Sequence, residues 1–163
     1  KIPSFESRNT ELIHYCLKHF KHLLISTGTS TFNEMRSIVV NIPHDKYTLL
    51  HCVSSYPCDF NIVNLPRMNT LKQLSNSVGF SDHAQGIESA VLSLGMGANF
   101  IEKHFTTDND LPGRDNKFAV LPSDMKRLSE YIKISNKVMK SKGHNFQKCE
   151  LDSRENYTGR FNG

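Results

Sequence analysis

Two histidines, His83 and His104, stand at the ends of short apolar runs, and each has a carboxylate close by, Asp82 and Glu102. Neutral imidazole nitrogens suit divalent Mn, Fe, Co or Zn, and neighbouring carboxylates complete a mixed nitrogen and oxygen sphere. In extended chain, alternate residues share a face. Ser81 therefore goes with His83 and Glu102 with His104, while Asp82 and Lys103 turn away. Glu102 is a candidate for holding a substrate hydroxyl or taking a proton; a buried carboxylate paired with Lys1 or Lys103 is the plainer alternative. Asp82 is placed to cap the helix beginning near Gln85 or to orient His83. On the residues alone, a structural role for the two histidines stands beside the metal-binding one.

Other polar groups gather at similar places. Ser26-Thr27-Gly28-Thr29-Ser30 leaves an apolar run and enters a helix, so its backbone N–H groups and hydroxyls are suited to a phosphate or carboxylate. It matches neither GxGxxG nor GxxxxGK[ST]. Residues 106–117 combine Asp108, Asp110, Pro112-Gly113, Arg114, Asp115 and Asn116 in a loop long enough to reach over a pocket. Cys16, Cys52, Cys58 and Cys149 form no CxxC pair and read as reduced thiols, with Cys16 and Cys52 as packing residues.

Repeated βα units are the scaffold that would hold these groups. Strands are expected at residues 1–4, 23–27, 47–52, 78–81 and 99–103. Between and after them come helical stripes: Leu12, Ile13, Cys16, Leu17 and Phe20; Phe32, Met35, Ile38 and Val39; Leu65, Met68, Leu71 and Leu74; Ile87, Ala90, Val91 and Leu94; and Met125, Leu128, Ile132 and Val138. Thr31 and Glu34 form a capping box, and Gly95 and Gly143 lie where helices should stop. A closed (β/α)₈ barrel typically takes about 250 residues, whereas a doubly wound sheet of five strands fits in this length, so the pattern leaves both architectures open. In either, ligands collect at the carboxyl ends of strands, and all the expected strand exits here are polar.

A length of 163 residues with 37% apolar and 22% charged side chains describes one globular domain. No apolar run approaches the roughly 20 residues that cross a bilayer, so no membrane is expected and a cytoplasmic setting is the default. The formal charge of +4 favours anionic partners, but the basic residues are dispersed and no nucleic acid is expected.

Together and in this order, HCVSSYP, GFSDHAQG, IEKHFTTD and LPGRDNKFA resemble the sialic acid synthases and their relatives that make other nonulosonic acids, across residues 1–140. The resemblance implies a partial (β/α)₈ TIM barrel holding about the last five βα units, residues 1–143, and then a polar linker, residues 144–163. It implies condensation of phosphoenolpyruvate with an open-chain N-acetylated amino sugar such as N-acetylmannosamine, releasing phosphate. A divalent metal, most often Mn²⁺, would be held by His83 and His104 and would polarise the aldehyde oxygen while carbon 3 of the enol attacks. Water would then add to carbon 2, and the intermediate would collapse with C–O cleavage. Lys1, Ser4, Ser26 and Ser81 match positions around the phosphate and carboxylate of phosphoenolpyruvate, with Lys1 as the point charge. Tyr56, Glu102 and Asp115 match positions on the sugar side. Ser54 stands where relatives often carry Asn, which alters the hydrogen bonding offered there.

The family's first three strands and its C-terminal antifreeze-like domain have no counterpart in these residues. The resemblance therefore implies that the isolated chain is inactive, and that the full-length protein is a homodimer in which that domain reaches the partner's active site. The linker resembles the family's as far as Glu155-Asn156 and Arg160, but Phe161 replaces a second arginine. Two other functions are compatible with the residues. One is a different metal-dependent barrel aldolase or aldulosonate synthase, in which a Schiff base would need Lys1 or Lys103. The other is a non-catalytic sugar-binding or interaction module.

Overall fold

Four of the expected apolar runs become the strands of one parallel sheet in the computed structural model, which describes residues 1–159. They are β1 (Leu23–Ser26), β2 (Tyr47–Cys52), β3 (Val78–Asp82) and β4 (Ile101–Lys103), side by side in the order β1-β2-β3-β4. Intervening helices are α1 (Thr10–His19), α2 (Phe32–Val39), α3 (Arg67–Leu71) and α4 (Glu88–Gly95), and α5 (Pro122–Val138) follows β4. The strand order never reverses. A doubly wound sheet must reverse at its switch point, so the choice left open by the pattern falls to an open, curled part of a β/α barrel.

The expected strand at residues 1–4 is corrected to a single bridged residue. Ile2 pairs in parallel with Ile25, donating to the Leu24 carbonyl and accepting from Ser26 N–H. Pro3 has no N–H to extend the ladder, and Ser4–Glu6 turns into a short 3₁₀ helix.

Alternation along the strands sorts the side chains into two rows. Ile25, Tyr47, Leu49, Val78 and Phe80 join Ile13, Met35, Val39, Met68 and Leu71 from the helices in the main core, and Ile101 packs with Ile87, Ala90, Val120 and Leu128 in a second cluster. Residues of the other parity, Ser26, Cys52, Ser81 and Glu102, line the opposite face. Thr31 and Glu34 make the expected capping box, both halves formed. The third helix is shorter than its stripe suggested, yet Leu74 beyond its end remains buried. Phe20, Met125 and Val138, expected in apolar stripes, are exposed. Phe20 falls at the extended C-cap of α1, and α5 enters the second core cluster through Leu128 and Ile132. Residues 144–159, within the expected linker, are exposed and include α6 (Leu151–Asn156); Arg160 and Phe161 lie outside the described residues. Among the described residues no helix is long and apolar enough to cross a membrane.

Gly79 lets the strands approach. A Cβ there would sit 2.5 Å from Leu50 Cδ2 and 2.5 Å from the Phe100 carbonyl oxygen. Because that carbonyl is backbone, Gly79→Ala is expected to destabilise by about 1–3 kcal/mol, read as a lower urea midpoint. An unchanged midpoint would show that β3 and β4 can part without loss.

Candidate active site

Register places Cys52 opposite Ser81 and Ser81 opposite Glu102, so one row of polar side chains crosses β2, β3 and β4. Ser81 Oγ donates to Glu102 Oε2, and Lys1 Nζ lies 2.8 Å from the same oxygen. The plainer reading of Glu102 as a partner of Lys1 is thus realised, inside the site and not away from it. Burial works to raise the Glu102 pKa, but the hydrogen bonds from Lys1 and Ser81 and the Lys1 charge outweigh it and hold the carboxyl below its ordinary value. Glu102 is an anion at neutral pH.

His83 and His104 extend the row toward the strand exits. Their ring centroids are 5.2 Å apart and the planes nearly perpendicular, at 87°. His83 Nδ1 donates to the Val53 carbonyl at 2.9 Å, and His104 Nδ1 faces Asp115 Oδ2 at 3.2 Å. Both partners are oxygens, so Nδ1 of each ring carries a proton, and Nε2 is the nitrogen through which either ring, when neutral, could bind an ion. Two imidazoles sharing one ion at ordinary metal–nitrogen distances hold their ring centres about 4.5–5.5 Å apart. The pair therefore fits two positions around a divalent ion. Among the described residues no group of three or more His, Cys, Asp or Glu side chains is placed to hold a metal, so the remaining positions must come from substrate, water or other groups.

Asp115 was expected on the sugar side, and its contact with His104 adds an orienting link. It sits in a 3₁₀ turn, Arg114–Lys117, entered through Gly113 at φ 137°. Tyr56 lies against His83 with centroids 4.1 Å apart and is flanked by His104 and Phe118. Burial, reinforced by nearby negative groups, pushes its phenol up, so it remains a hydroxyl donor.

An open pocket of about 410 Å³ is lined by eight of the predicted residues: Lys1, Ser4, Ser54, Tyr56, Ser81, His83, His104 and Asp115. Glu102 is joined to two of them. Ser26 does not line the pocket; it is fully buried, and its Oγ has no hydrogen-bond partner among the described residues. Thr29 and Arg114, from loops already suspected, reach the wall.

The loop at residues 26–30 departs from expectation. Its N–H groups were expected to face an anion, but Thr27 N–H is bound by the Leu50 carbonyl and Gly28 N–H by Ser4 Oγ. Arg67 secures the loop from outside through the carbonyls of Thr27 and Ser30. Gly28 serves by what it lacks, since a Cβ would collide with the Ser54 and Ser4 hydroxyls.

Cys52 is the residue that composition and spacing misjudged. It was assigned to packing, yet it lines the pocket, accepts from Ser4 Oγ at 3.2 Å and lies 3.9 Å from His83 Nδ1. Burial would raise its pKa, but hydrogen bonds from His83 and Ser4 and the His83 charge bring it below the usual thiol value. Strand parity with Ser81 was the available signal. Asp82 points the other way, accepting Ala84 N–H at 2.9 Å in the turn before α4; that helix starts later than expected, at Glu88 with Ile87 at its N-cap and no side-chain cap, so the expected capping role is corrected to a turn contact.

With this geometry in hand, similarities to known proteins can be placed on it. The NeuB family profile matches residues 1–144. The N,N'-diacetyllegionaminic acid synthase of Legionella pneumophila is 40% identical over 86% of this chain and 42% of its own length. The pseudaminic acid synthase of Campylobacter jejuni is 31% identical over 82% of this chain and 40% of its own. Among solved structures, the N-acetylneuraminic acid synthetase of Leptospira borgpetersenii, in complex with citrate, superposes with a TM-score of 0.86 at 31% identity, covering 98% of this chain and 57% of that one. The chain spans less than half the length of these two curated relatives.

Proposed function

The chain belongs to the NeuB family, and from that premise we propose that it carries the metal-binding and part of the substrate-binding apparatus of a nonulosonic acid synthase. In the reaction, phosphoenolpyruvate condenses with an open-chain N-acetylated amino sugar, water is consumed and phosphate is released. The observation that supports this best is the convergence in one pocket of two imidazoles whose Nδ1 atoms are engaged by oxygens and a Lys1–Glu102–Ser81 network.

Lys1, Ser4 and Ser81 supply a cation and hydroxyls for the phosphate and carboxylate of phosphoenolpyruvate. Ser26, proposed with them from the sequence, stands behind the pocket wall on the same parity, its Oγ without a hydrogen-bond partner among the described residues. His83 and His104 would hold the divalent ion, which we take to be Mn²⁺; when bound, it polarises the sugar's aldehyde oxygen. Glu102, held ionised, accepts a proton or a hydrogen bond from the sugar. Tyr56 offers its hydroxyl and Asp115 its second carboxylate oxygen on the sugar side, and Ser54 completes that wall. Carbon 3 of the enol joins the aldehyde carbon, water adds at carbon 2, and phosphate leaves with cleavage of its C–O bond. Residues 1–143 form the partial catalytic barrel in this reading and residues 144–163 a linker. The other groups, including those of a partner subunit, lie in segments beyond this sequence.

The lysine environments oppose a Schiff-base aldolase. Lys1 is paired with Glu102, and Lys103 is buried against Asp82 on the opposite face of the sheet. A lysine nucleophile needs a free amine facing the substrate. With flanking segments supplied, phosphate release from phosphoenolpyruvate should require Mn²⁺, and borohydride should trap no adduct. The isolated 163-residue chain should release none. A borohydride-trapped substrate on Lys1 or Lys103 would overturn the assignment.

A further inference from the structure

Behind the pocket, on the face of the sheet turned toward the helices, Asp82 and Lys103 form an ion pair at 3.0 Å with side chains 0% and 2% exposed. Each immediately precedes a pocket histidine in sequence, and register sets the two residues opposite each other on β3 and β4. The pair is fully engaged. Asp82 accepts Ala84 N–H at 2.9 Å on Oδ1 and Ser89 Oγ at 2.7 Å on Oδ2, and Lys103 Nζ also donates to the Ala84 carbonyl at 2.5 Å. Lys103, Ser89 and both peptide groups of Ala84 thus tie β4 to the segment that carries His83 out of β3.

We propose that the Asp82–Lys103 pair is a positioning clamp: tied behind the sheet, it fixes the separation and orientation of the His83 and His104 imidazoles in front of it. Neither Asp82 nor Lys103 is among the described residues that line the pocket, so the clamp adds no ligand and no proton. Its link to the rings is the backbone, one residue along each strand. Side chains of successive residues leave a strand on opposite faces, so locking residue 82 to residue 103 locks 83 relative to 104. A pair built only for packing stability would be indifferent to which residues follow it. As a positioning device for metal ligands, the proposal rests on the reading of His83 and His104 given above.

Lys103→Met alone would strand a buried carboxylate and could unfold the protein. The informative variants are therefore Asp82→Asn/Lys103→Met, which removes the tether and both charges, and Lys103→Arg, which keeps charge and reach. They are compared in full-length protein labelled with ¹⁵N-histidine, with circular dichroism confirming the fold. Ring signals are assigned from His83→Ala and His104→Ala. In the metal-free double variant the Nδ1–H resonances of His83 and His104 should shift or broaden, whereas Lys103→Arg should match the wild type. Co²⁺ binding, followed by visible absorption, should weaken roughly 10–100-fold in the double variant, the range typical of groups that orient metal-bound histidines. A folded double variant with wild-type ring resonances and wild-type Co²⁺ affinity would overturn the proposal. If the wild type shows no His83-dependent Co²⁺ band while the ring signals still respond, the metal reading fails and the clamp stands.

Discussion

Replacing His83 by alanine is expected to lower phosphate release by at least about 10²-fold in the full-length protein, with loss of Mn²⁺ affinity in parallel. The expectation follows from how the ring is held. Its Nδ1 donates to the Val53 carbonyl, Tyr56 packs against the ring, and Nε2 makes no hydrogen bond among the described residues. Ala would remove one of two imidazoles whose centres stand 5.2 Å apart, and among the described residues no group of three or more His, Cys, Asp or Glu is placed to hold an ion without it. Isothermal titration with Mn²⁺ beside a phosphate assay separates the possibilities: lost turnover with unchanged metal binding would make His83 a hydrogen-bonding residue, and unchanged turnover would remove it from the site.

The second large effect is expected at Glu102. Glu102→Gln keeps the shape but removes the charge, and turnover should fall by about 10²–10⁴-fold if this carboxylate takes a proton or holds a sugar hydroxyl as an anion. The same substitution has a signature in stability. Since the folded-state pKa is lowered chiefly by Lys1 and Ser81 acting against burial, the wild type gains stability above the ordinary carboxylate value and loses it as pH falls through the folded value. The Gln variant should lack that acidic-side slope in urea midpoints measured between neutral pH and pH values below the usual carboxylate range. With the Glu102 and Lys1 side chains each about a third exposed, at 33% and 32%, the slope will be modest. A Gln variant with wild-type turnover would reassign Glu102 to a structural partner of Lys1.

Period-two alternation was enough to put Ser81 with His83 and Glu102 with His104, and to turn Asp82 and Lys103 away; the Ser81–Glu102 and Lys103–Asp82 contacts realise both statements. Alternation is a local property, and local properties are what a sequence displays directly. Strand order is not local. Without it, the choice between Lys1 and Lys103 as the partner of Glu102 stayed open, and the partial barrel could not be separated from a doubly wound sheet. Cys52 failed for a related reason: a buried thiol looks alike in a core and in a pocket wall until the neighbouring strand supplies Ser81 and the following loop supplies His83. The loop at 26–30 looked like an anion cradle because its hydroxyls and glycine suit one, but Ser4 and Leu50, distant in sequence, occupy two of the N–H groups that role requires. His104 and Asp115 meet because a turn brings residues 114–117 back over β4, a path that spacing does not reveal.

Under the proposed function, the pocket is the place where a three-carbon enol phosphate and an amino sugar are joined. The most direct test of this is the mass of the acid formed when full-length protein is given Mn²⁺, phosphoenolpyruvate and a series of six-carbon N-acetylated amino sugars. One sugar should yield a product heavier by the mass of pyruvic acid, with one phosphate released per molecule, and the yield should collapse in His83→Ala. Folded, metal-loaded protein that releases phosphate without forming any such acid, or forms it equally well in His83→Ala, would contradict the account.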